Sequence, residues 1–315
     1  MSAPRHHHYV SACYLKHFAL PCDRYGRLYV YDRVTGKPFR STPDSSAHQR
    51  DFYRIAHQQP TMVEVDVYAE LEKRFAPVLA EVNERGTLPR DSLTGQLLLE
   101  FVATQAMRTL RTRELVRSVF DEAHLIAQQA EGEDEASFAE RLKRWRPEVT
   151  DEEVARCFET RREFTDDMQA RGGVVDQTTL VLQALELGDE VKTVLANRYW
   201  ILGVASDGAQ FITSDEPVRL QPATNARLTD PQWLPSLEDP DTDVMVALSS
   251  RLILIGRSRA HHRARVRLDR HQVAGFNTSV AFTARRFIYS IAPTFVYLAS
   301  DGSVVDGPMG LMHSP

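Results

Sequence analysis

The spacing of apolar positions divides the chain into three stretches. Residues 27–42, "RLYVYDRVTGKPFRST", alternate apolar and polar side chains around Thr35-Gly36, a pattern that predicts a β-hairpin. The irregular polar residues that follow, 45–60, predict a connecting loop. From 61 to 196 the apolar residues recur with helical spacing, and after Tyr199 they form short β-branched and aromatic runs.

The middle stretch predicts several helices. The first begins at Thr61, which stands three residues before Glu64 in the spacing of a capping box. A second, proline-free pattern runs from Leu93 to about residue 130, and Thr150 is placed to cap a later helix. Further helical patterns cover residues within 131–145, 175–196 and 270–286.

This order of elements predicts an α+β protein. We expect one domain over residues 1–315, with a helical part at 61–196 and a β-rich part made of 1–60 and 197–300. The N-terminal hairpin is expected to flank the helical block and to join a C-terminal, mainly antiparallel sheet.

Composition narrows the classes of protein. The chain has 315 residues, of which 43% are hydrophobic, enough to fill a substantial core. No run of about 18 apolar residues and no secretory signal pattern is present, so we expect a cytoplasmic protein without a membrane segment. A net charge of −5 does not favour a nucleic-acid partner, and the basic run at 261–270 predicts a local surface segment. The three cysteines lack CxxC spacing, so any metal would bind histidines and carboxylates.

The opening "RHHHYV" contains three histidines that continue into the chain without a linker, so we treat them as native. His7 and His8 are candidates to bind a divalent ion or to act as acid and base. In an extended strand His6 and His8 share one face and His7 the other, so the three are not expected to bind one ion. The alternative is a histidine packed at the mouth of a sheet and bonded to the backbone.

Two helices carry polar side chains in unusual positions. Glu64, Tyr68 and Glu72 are spaced i, i+4, i+8, which places two carboxylates on one stripe of the helix, where they can bind a metal. The alternatives are that Glu64 only caps the helix and that Glu72 lies on the surface. In the second helix Gln105 and Arg108 fall on the apolar face. A buried guanidinium needs a carboxylate, backbone carbonyls or an anionic ligand, so the alternatives are a ligand and a structural ion pair with Asp215 or a glutamate.

Two further polar residues lie near predicted strands and helices at the C-terminal end. Asp215 in "TSDEP" follows a strand, a frequent place to hold a metal or activate water, although an Asx or Ser turn also explains it. Asn277 in "FNTSVAF" lies within an apolar helix face, where it either completes the site or braces a loop.

Six segments together resemble one family. They are "HHHYVSACYLKHFA", "FY" at 52–53, "VEVDVYAELEKRFAPVL", "FVATQAMRTLRTR", "FITSDEP" and "FNTSVAFTARRFIYS". In this order they are similar to the bacterial family called domain of unknown function 4238, over about residues 6–292. Ser11 and Leu110 stand where that family typically has proline. The family name implies no activity.

The side chains therefore carry the functional prediction. We expect a metal-dependent hydrolase of a phosphate-bearing small molecule or nucleic acid, such as a phosphodiesterase or nuclease. The alternative is a non-catalytic protein that binds a small anion or nucleotide. The predicted catalytic residues are His8, Asp215 and Arg108; the predicted substrate-binding residues are Gln105, Arg108 and Asn277; the predicted ligands of a divalent metal ion are His7, His8, Asp215, Glu64 and Glu72.

Overall fold

A computed structural model describes residues 6–129, 133–170, 174–223, 235–260 and 263–307. The chain forms two compact units, the first made of Met1–Thr112 and Ala184–Pro315 and the second of Arg113–Gln183. The expected single domain stays a prediction. No described helix is both long and apolar enough to cross a membrane.

The N-terminal part of the first unit contains four short strands. Their bounds, with those of one short helix, are β1 His6–His8, α1 Ala12–Leu15, β2 Leu28–Asp32, β3 Lys37–Ser41 and β4 His48–Arg50. Strand β1 pairs antiparallel with β4, so His8 lies opposite His48. The polar stretch 45–60 therefore contains a strand, and its prediction as a loop throughout is wrong, because three residues without apolar alternation give no strand signal.

Six helices follow among the described residues, and they confirm that helices dominate the middle of the chain. Their bounds are α2 Ala69–Arg85, α3 Ser92–Met107, α4 Leu110–Gln129, α5 Glu135–Trp145, α6 Asp151–Ala170 and α7 Gln177–Ala196. In the second unit, Phe138 of α5 and Val154 of α6 form a small apolar core with Val149. Thr150 caps α6 as predicted, since its hydroxyl accepts the Glu153 N–H at 3.3 Å while the Glu153 carboxylate accepts the Thr150 N–H at 2.9 Å.

Two details of the helix prediction are wrong. A π-helical turn, Val63–Tyr68, precedes α2; its first flanking residue is Met62, and no side chain caps it. Glu64 is therefore not a capping partner of Thr61. The second helix is interrupted at Arg108-Thr109, where α3 ends and α4 begins. Apolar periodicity continues through this break, so the sequence pattern alone does not reveal it.

The remaining elements complete the first unit. They are β5 Tyr199–Ala205, β6 Thr213–Ser214, β7 Arg219–Pro222, β8 Thr242–Ala247, β9 Leu252–Arg257, β10 Arg265–Leu268, α8 Arg270–Thr283, β11 Phe287–Ser290, β12 Phe295–Leu298 and β13 Val304–Gly307. A five-stranded sheet has the order β10-β5-β9-β8-β7, and only its β10-β5 pair is parallel. Leu202, Val246 and Leu254 are wholly buried in it, as expected for short apolar runs.

A four-stranded antiparallel sheet with the order β3-β2-β11-β6 joins the two ends of the chain. Strand β11 pairs with β2 of the N-terminal hairpin, so Tyr289 lies opposite Val30. This confirms both the hairpin and its union with C-terminal strands, and with it the α+β class. The sheet brings the "TSDEP" segment and the last predicted motif together, because β11 pairs with β6. The N-terminal histidines lie in the separate two-stranded sheet formed by β1 and β4.

Candidate functional site

His7 is wholly buried and held by the chain itself. Its Nδ1 accepts the Tyr53 backbone N–H at 2.8 Å, and the two rings stack with centroids 5.9 Å apart. A ring nitrogen that accepts a backbone N–H has its lone pair engaged. The contacts of His7 therefore match the alternative considered from the sequence, in which a histidine is packed and hydrogen-bonded to the backbone.

His8 and His6 lie together on the other face of β1, as the strand geometry predicts. His8 Nε2 lies 3.1 Å from the Asp44 carbonyl oxygen, and its ring centroid is 5.7 Å from that of His48. His6 Nδ1 lies 3.2 Å from His48 Nδ1. Burial lowers the pKa of His8, and it also lowers that of His48, which favours the neutral form of both rings.

Arg108 ends α3 and is 1% exposed. Its Nη1 donates to Glu72 Oε1 at 2.7 Å and its Nη2 to the His8 carbonyl oxygen at 2.6 Å, while Nε lies 3.4 Å from the Tyr53 hydroxyl. The guanidinium carbon stands 4.3 Å from the centre of the Tyr68 ring, a cation–π distance. Each nitrogen of the group has a protein partner. These contacts match the structural alternative, with Glu72 rather than Asp215 as the carboxylate.

The predicted stripe on the first helix faces this guanidinium. Glu72 and Tyr68 contact Arg108 directly, and the charge of Arg108 also acts on Glu64. Burial raises the pKa of Glu64 to about 7, because its Coulombic attraction to Arg108 does not offset the loss of solvation. The stripe and the buried Arg108 thus form one partly buried cluster around a single positive charge.

Gln105 is also wholly buried. Its Nε2 donates to the Ser11 hydroxyl at 3.2 Å, and its Oε1 has no hydrogen-bond partner among the described residues. Ser11, which stands where the resembled family has proline, thus supplies a hydroxyl that proline lacks.

Asp215 forms a separate centre at the end of β6. Its carboxylate accepts the backbone N–H groups of Arg285, Arg286 and Phe287 at 2.9, 2.7 and 2.9 Å. Burial raises the pKa of Asp215, while these three bonds oppose the rise. The carboxylate thus fixes the turn between α8 and β11. The local turn considered from the sequence is formed by Ser214, whose hydroxyl accepts the Glu216 N–H at 3.1 Å.

Asn277 braces three segments. Its Nδ2 donates to the carbonyls of Gln210 and Val296 at 2.8 and 2.9 Å, and its Oδ1 accepts the Ile212 N–H at 3.1 Å. It is wholly buried and all of these contacts are with the backbone. These contacts match the alternative in which Asn277 braces a loop.

Glu216 is an ionisable residue of this region that the sequence analysis missed. It is 7% exposed, burial raises its pKa to about 7, and its Oε1 accepts the Arg111 N–H at 3.2 Å. The hydrogen bond with the Thr109 side chain and the charge of Arg111 oppose this rise only in part, and the charge of Asp215 adds to it. The adjacent acids in "SDEP" were the available signal, because two neighbouring carboxylates raise each other's pKa when the fold buries them.

The predicted metal ligands fall into different local networks. His7 contacts Tyr53, Glu72 contacts Arg108, and Asp215 contacts backbone N–H groups. Within the part of the chain that the structure describes, no group of three or more His, Cys, Asp or Glu side chains is arranged to hold a metal ion.

An open cavity of about 180 Å³ is lined by residues of β2, β3, β4 and β11 and of the segments beside them. The lining residues are Tyr9, Val30, Phe39, Ser41, Ser45, Ser46, Ala47, His48, Phe287 and Tyr289. They include four aromatic rings, three serines and a histidine. Ala47 has a φ of 51°, and its carbonyl accepts the Tyr9 N–H at 2.9 Å. A left-handed non-glycine residue at a cavity is typical of functional sites.

Residues 6–292 match the family described as Protein of unknown function (DUF4238). The chain belongs to this family. Its first motif supplies Tyr9 and its last supplies Phe287 and Tyr289, so both DUF4238 segments line the same cavity. Searches of curated proteins and of solved structures found no match. The family description names no activity, so the chemistry has to be argued from the side chains of the site.

Proposed function

We propose that this DUF4238 protein binds a nucleoside or nucleotide without catalysing its turnover, with the base in the cavity between Tyr9 and Phe287. The observation that carries the proposal is the cavity itself. Its volume of about 180 Å³ suits one planar ring system, and aromatic side chains line it.

The aromatic walls favour a flat ligand. Phe39 is 45% exposed, and its ring meets that of Phe287 edge to face, with centroids 6.3 Å apart. Phe39 and Phe287 therefore offer apolar surface that a base would remove from water. Stacking of one base on an aromatic side chain contributes about 1–3 kcal/mol.

The polar side chains of the cavity lining supply groups that orient such a ligand. Ser45 is exposed beside His48, and no described residue accepts a hydrogen bond from its hydroxyl. The Ser46 hydroxyl donates to that of Ser41 at 2.9 Å. Hydroxyls and a neutral imidazole can both donate to and accept from a base edge, a sugar or a phosphate.

The contacts of the predicted catalytic residues favour binding over catalysis. Every guanidinium nitrogen of Arg108 already has a protein partner. Both carboxylate oxygens of Asp215 also accept hydrogen bonds from the protein. The metal-dependent hydrolase stays a prediction. Metal analysis of the purified protein and incubation with mixed nucleotides would support it if bound metal and hydrolysed product both appeared.

Calorimetric titration with nucleosides, nucleoside monophosphates and inorganic phosphate tests the proposal. We expect nucleosides and nucleotides to bind, because the base supplies the stacking surface. Phe39→Ala should weaken this binding about 5- to 150-fold, the equivalent of one base stack. Phe282→Ala is the matched control, since Phe282 is 65% exposed and lies outside the cavity lining.

Two results would contradict the proposal. One is the absence of any binding by nucleosides and nucleotides. The other is equal affinity of the wild type and Phe39→Ala, which would place the ligand elsewhere.

A further inference from the structure

A second cavity, of about 330 Å³, lies between the end of α2 and the five-stranded sheet. Its lining includes His17, Cys22, Ser250 and three arginines, Arg85, Arg251 and Arg265. None of the residues predicted from sequence to form a site lines it. Its chemistry also differs from that of the first cavity, which is lined by aromatic side chains and is called the aromatic cavity below.

The charge of this second cavity is positive. Arg85 is paired with Glu81, at 2.6 Å, whereas Arg251 and Arg265, both exposed, form no ion pair with a described carboxylate. Glu84 is the one acidic residue of the lining. Two uncompensated guanidinium groups at one cavity match an anion, and their planar donor geometry suits the oxygens of a phosphate.

Buried polar groups beside the arginines have spare hydrogen-bonding capacity. His17 is 8% exposed, and its Nε2 has no partner in the described part of the chain. Its Nδ1 lies 3.5 Å from Cys22 Sγ, and when the thiol donates to Nδ1 the ring proton is on Nε2. Burial lowers the pKa of His17 to about 4, so the ring is a neutral donor near pH 7.

Ser250 adds a hydroxyl group to the lining. It is 7% exposed, its backbone N–H donates to the His17 carbonyl at 3.4 Å, and its hydroxyl makes no hydrogen bond with a described residue. Its neighbour Ser249, in contrast, accepts the backbone N–H groups of Arg251 and Leu252. A ligand oxygen would satisfy the His17 Nε2–H group, which otherwise stays unpaired at a cost in free energy.

We infer that the second cavity binds a phosphate group, either as inorganic phosphate or as the phosphate of a small monoester, through Arg251, Arg265, His17 and Ser250. The cavity volume accommodates a phosphate with a small substituent. This site is independent of the proposed nucleotide cavity.

Calorimetric titration of the full chain with inorganic phosphate, and separately with glycerol phosphate, tests the inference and distinguishes the two ligand forms. Potassium chloride at matched ionic strength controls for screening. The Arg251→Gln/Arg265→Gln variant should lose about tenfold or more in affinity, because both bidentate donors are removed. Arg267→Gln is the matched control. Arg267 is exposed, lies on the same strand as Arg265 and pairs with Asp207.

Alkylation of the cysteines gives a second, positional readout. Phosphate should slow the modification of Cys22, which lines the cavity, and leave that of the exposed Cys157 unchanged, as read by peptide mass spectrometry. The inference is overturned if phosphate and glycerol phosphate both fail to bind. It is also overturned if Arg267→Gln weakens binding as much as the double variant, or if Cys22 is not protected.

The two proposals fail separately. Loss of nucleoside binding in Phe39→Ala leaves the phosphate titration unaffected, and loss of phosphate binding in the arginine variant leaves the nucleoside titration unaffected.

Discussion

Replacement of Arg108 by alanine should strongly destabilise the protein. The change leaves the Glu72 carboxylate, 26% exposed, without its partner and removes the donor to the His8 carbonyl. It also removes the cation–π contact with Tyr68 and creates a void where a side chain that is 1% exposed was packed. Loss of one partner of a buried ion pair costs about 3–5 kcal/mol; because Glu72 keeps some access to water, we expect roughly 2–4 kcal/mol.

Urea-induced unfolding followed by circular dichroism measures this change. Arg108→Lys should cost less, because it keeps the charge and one donor but not the planar fork. A double-mutant cycle with Glu72→Ala should give a coupling energy of about 1–3 kcal/mol. The matched control is Arg74→Ala, which breaks an ion pair with Glu100 in which the arginine is 53% exposed and should cost less than about 1 kcal/mol.

The reasoning would be refuted if Arg108→Ala cost no more free energy of unfolding than Arg74→Ala. Such a result would mean that Arg108 is available to a ligand, as the sequence analysis expected. A fall in ligand affinity without a change in stability would support the same conclusion.

Three further changes have defined outcomes. Asp215→Asn should lower the free energy of urea unfolding by roughly 2–3 kcal/mol, because an amide cannot accept all three N–H groups of residues 285–287. Glu216, with a folded pKa of about 7, releases its proton at higher pH in the folded than in the unfolded protein, so its contribution to stability falls between about pH 4.5 and pH 7. Glu216→Gln should therefore stabilise the protein by roughly 1–3 kcal/mol at about pH 8 and give no gain at about pH 4.5, as measured by urea unfolding at each pH. Gly26→Ala should lower the thermal midpoint, because the new Cβ would lie 1.9 Å from a backbone carbonyl oxygen, whereas Gly95→Ala, with nothing within 4 Å, should preserve or raise it.

The local elements of this protein follow from its sequence pattern. The hairpin, the helical middle and the strands after Tyr199 were predicted correctly, since each depends on the spacing of apolar residues over a short window. The errors are also local. The strand His48–Arg50 has no apolar alternation, and the break at Arg108-Thr109 lies within continuous helical periodicity.

The sequence also identified the polar residues that the fold buries, because each occupied an apolar face or a strand end. Gln105, Arg108, Asp215 and Asn277 are all 1% exposed or less. The sequence pattern around each of these residues left open whether a ligand or another part of the protein makes hydrogen bonds to its side chain. Phe39 and His48, which line the aromatic cavity, gave no such signal, since a single exposed aromatic or histidine in a hairpin or loop is ordinary.

Sequence by itself thus determined the main helices and strands and several of the buried polar positions, whereas tertiary structure decided what each buried polar group contacts. Arg108 meets the carbonyl of a residue 100 positions away, and Asp215 meets N–H groups 70 to 72 positions away. Periodicity is set by neighbours within a few residues, so it reports the face that a side chain occupies. The partner on that face depends on how distant segments pack, and only the folded chain specifies it.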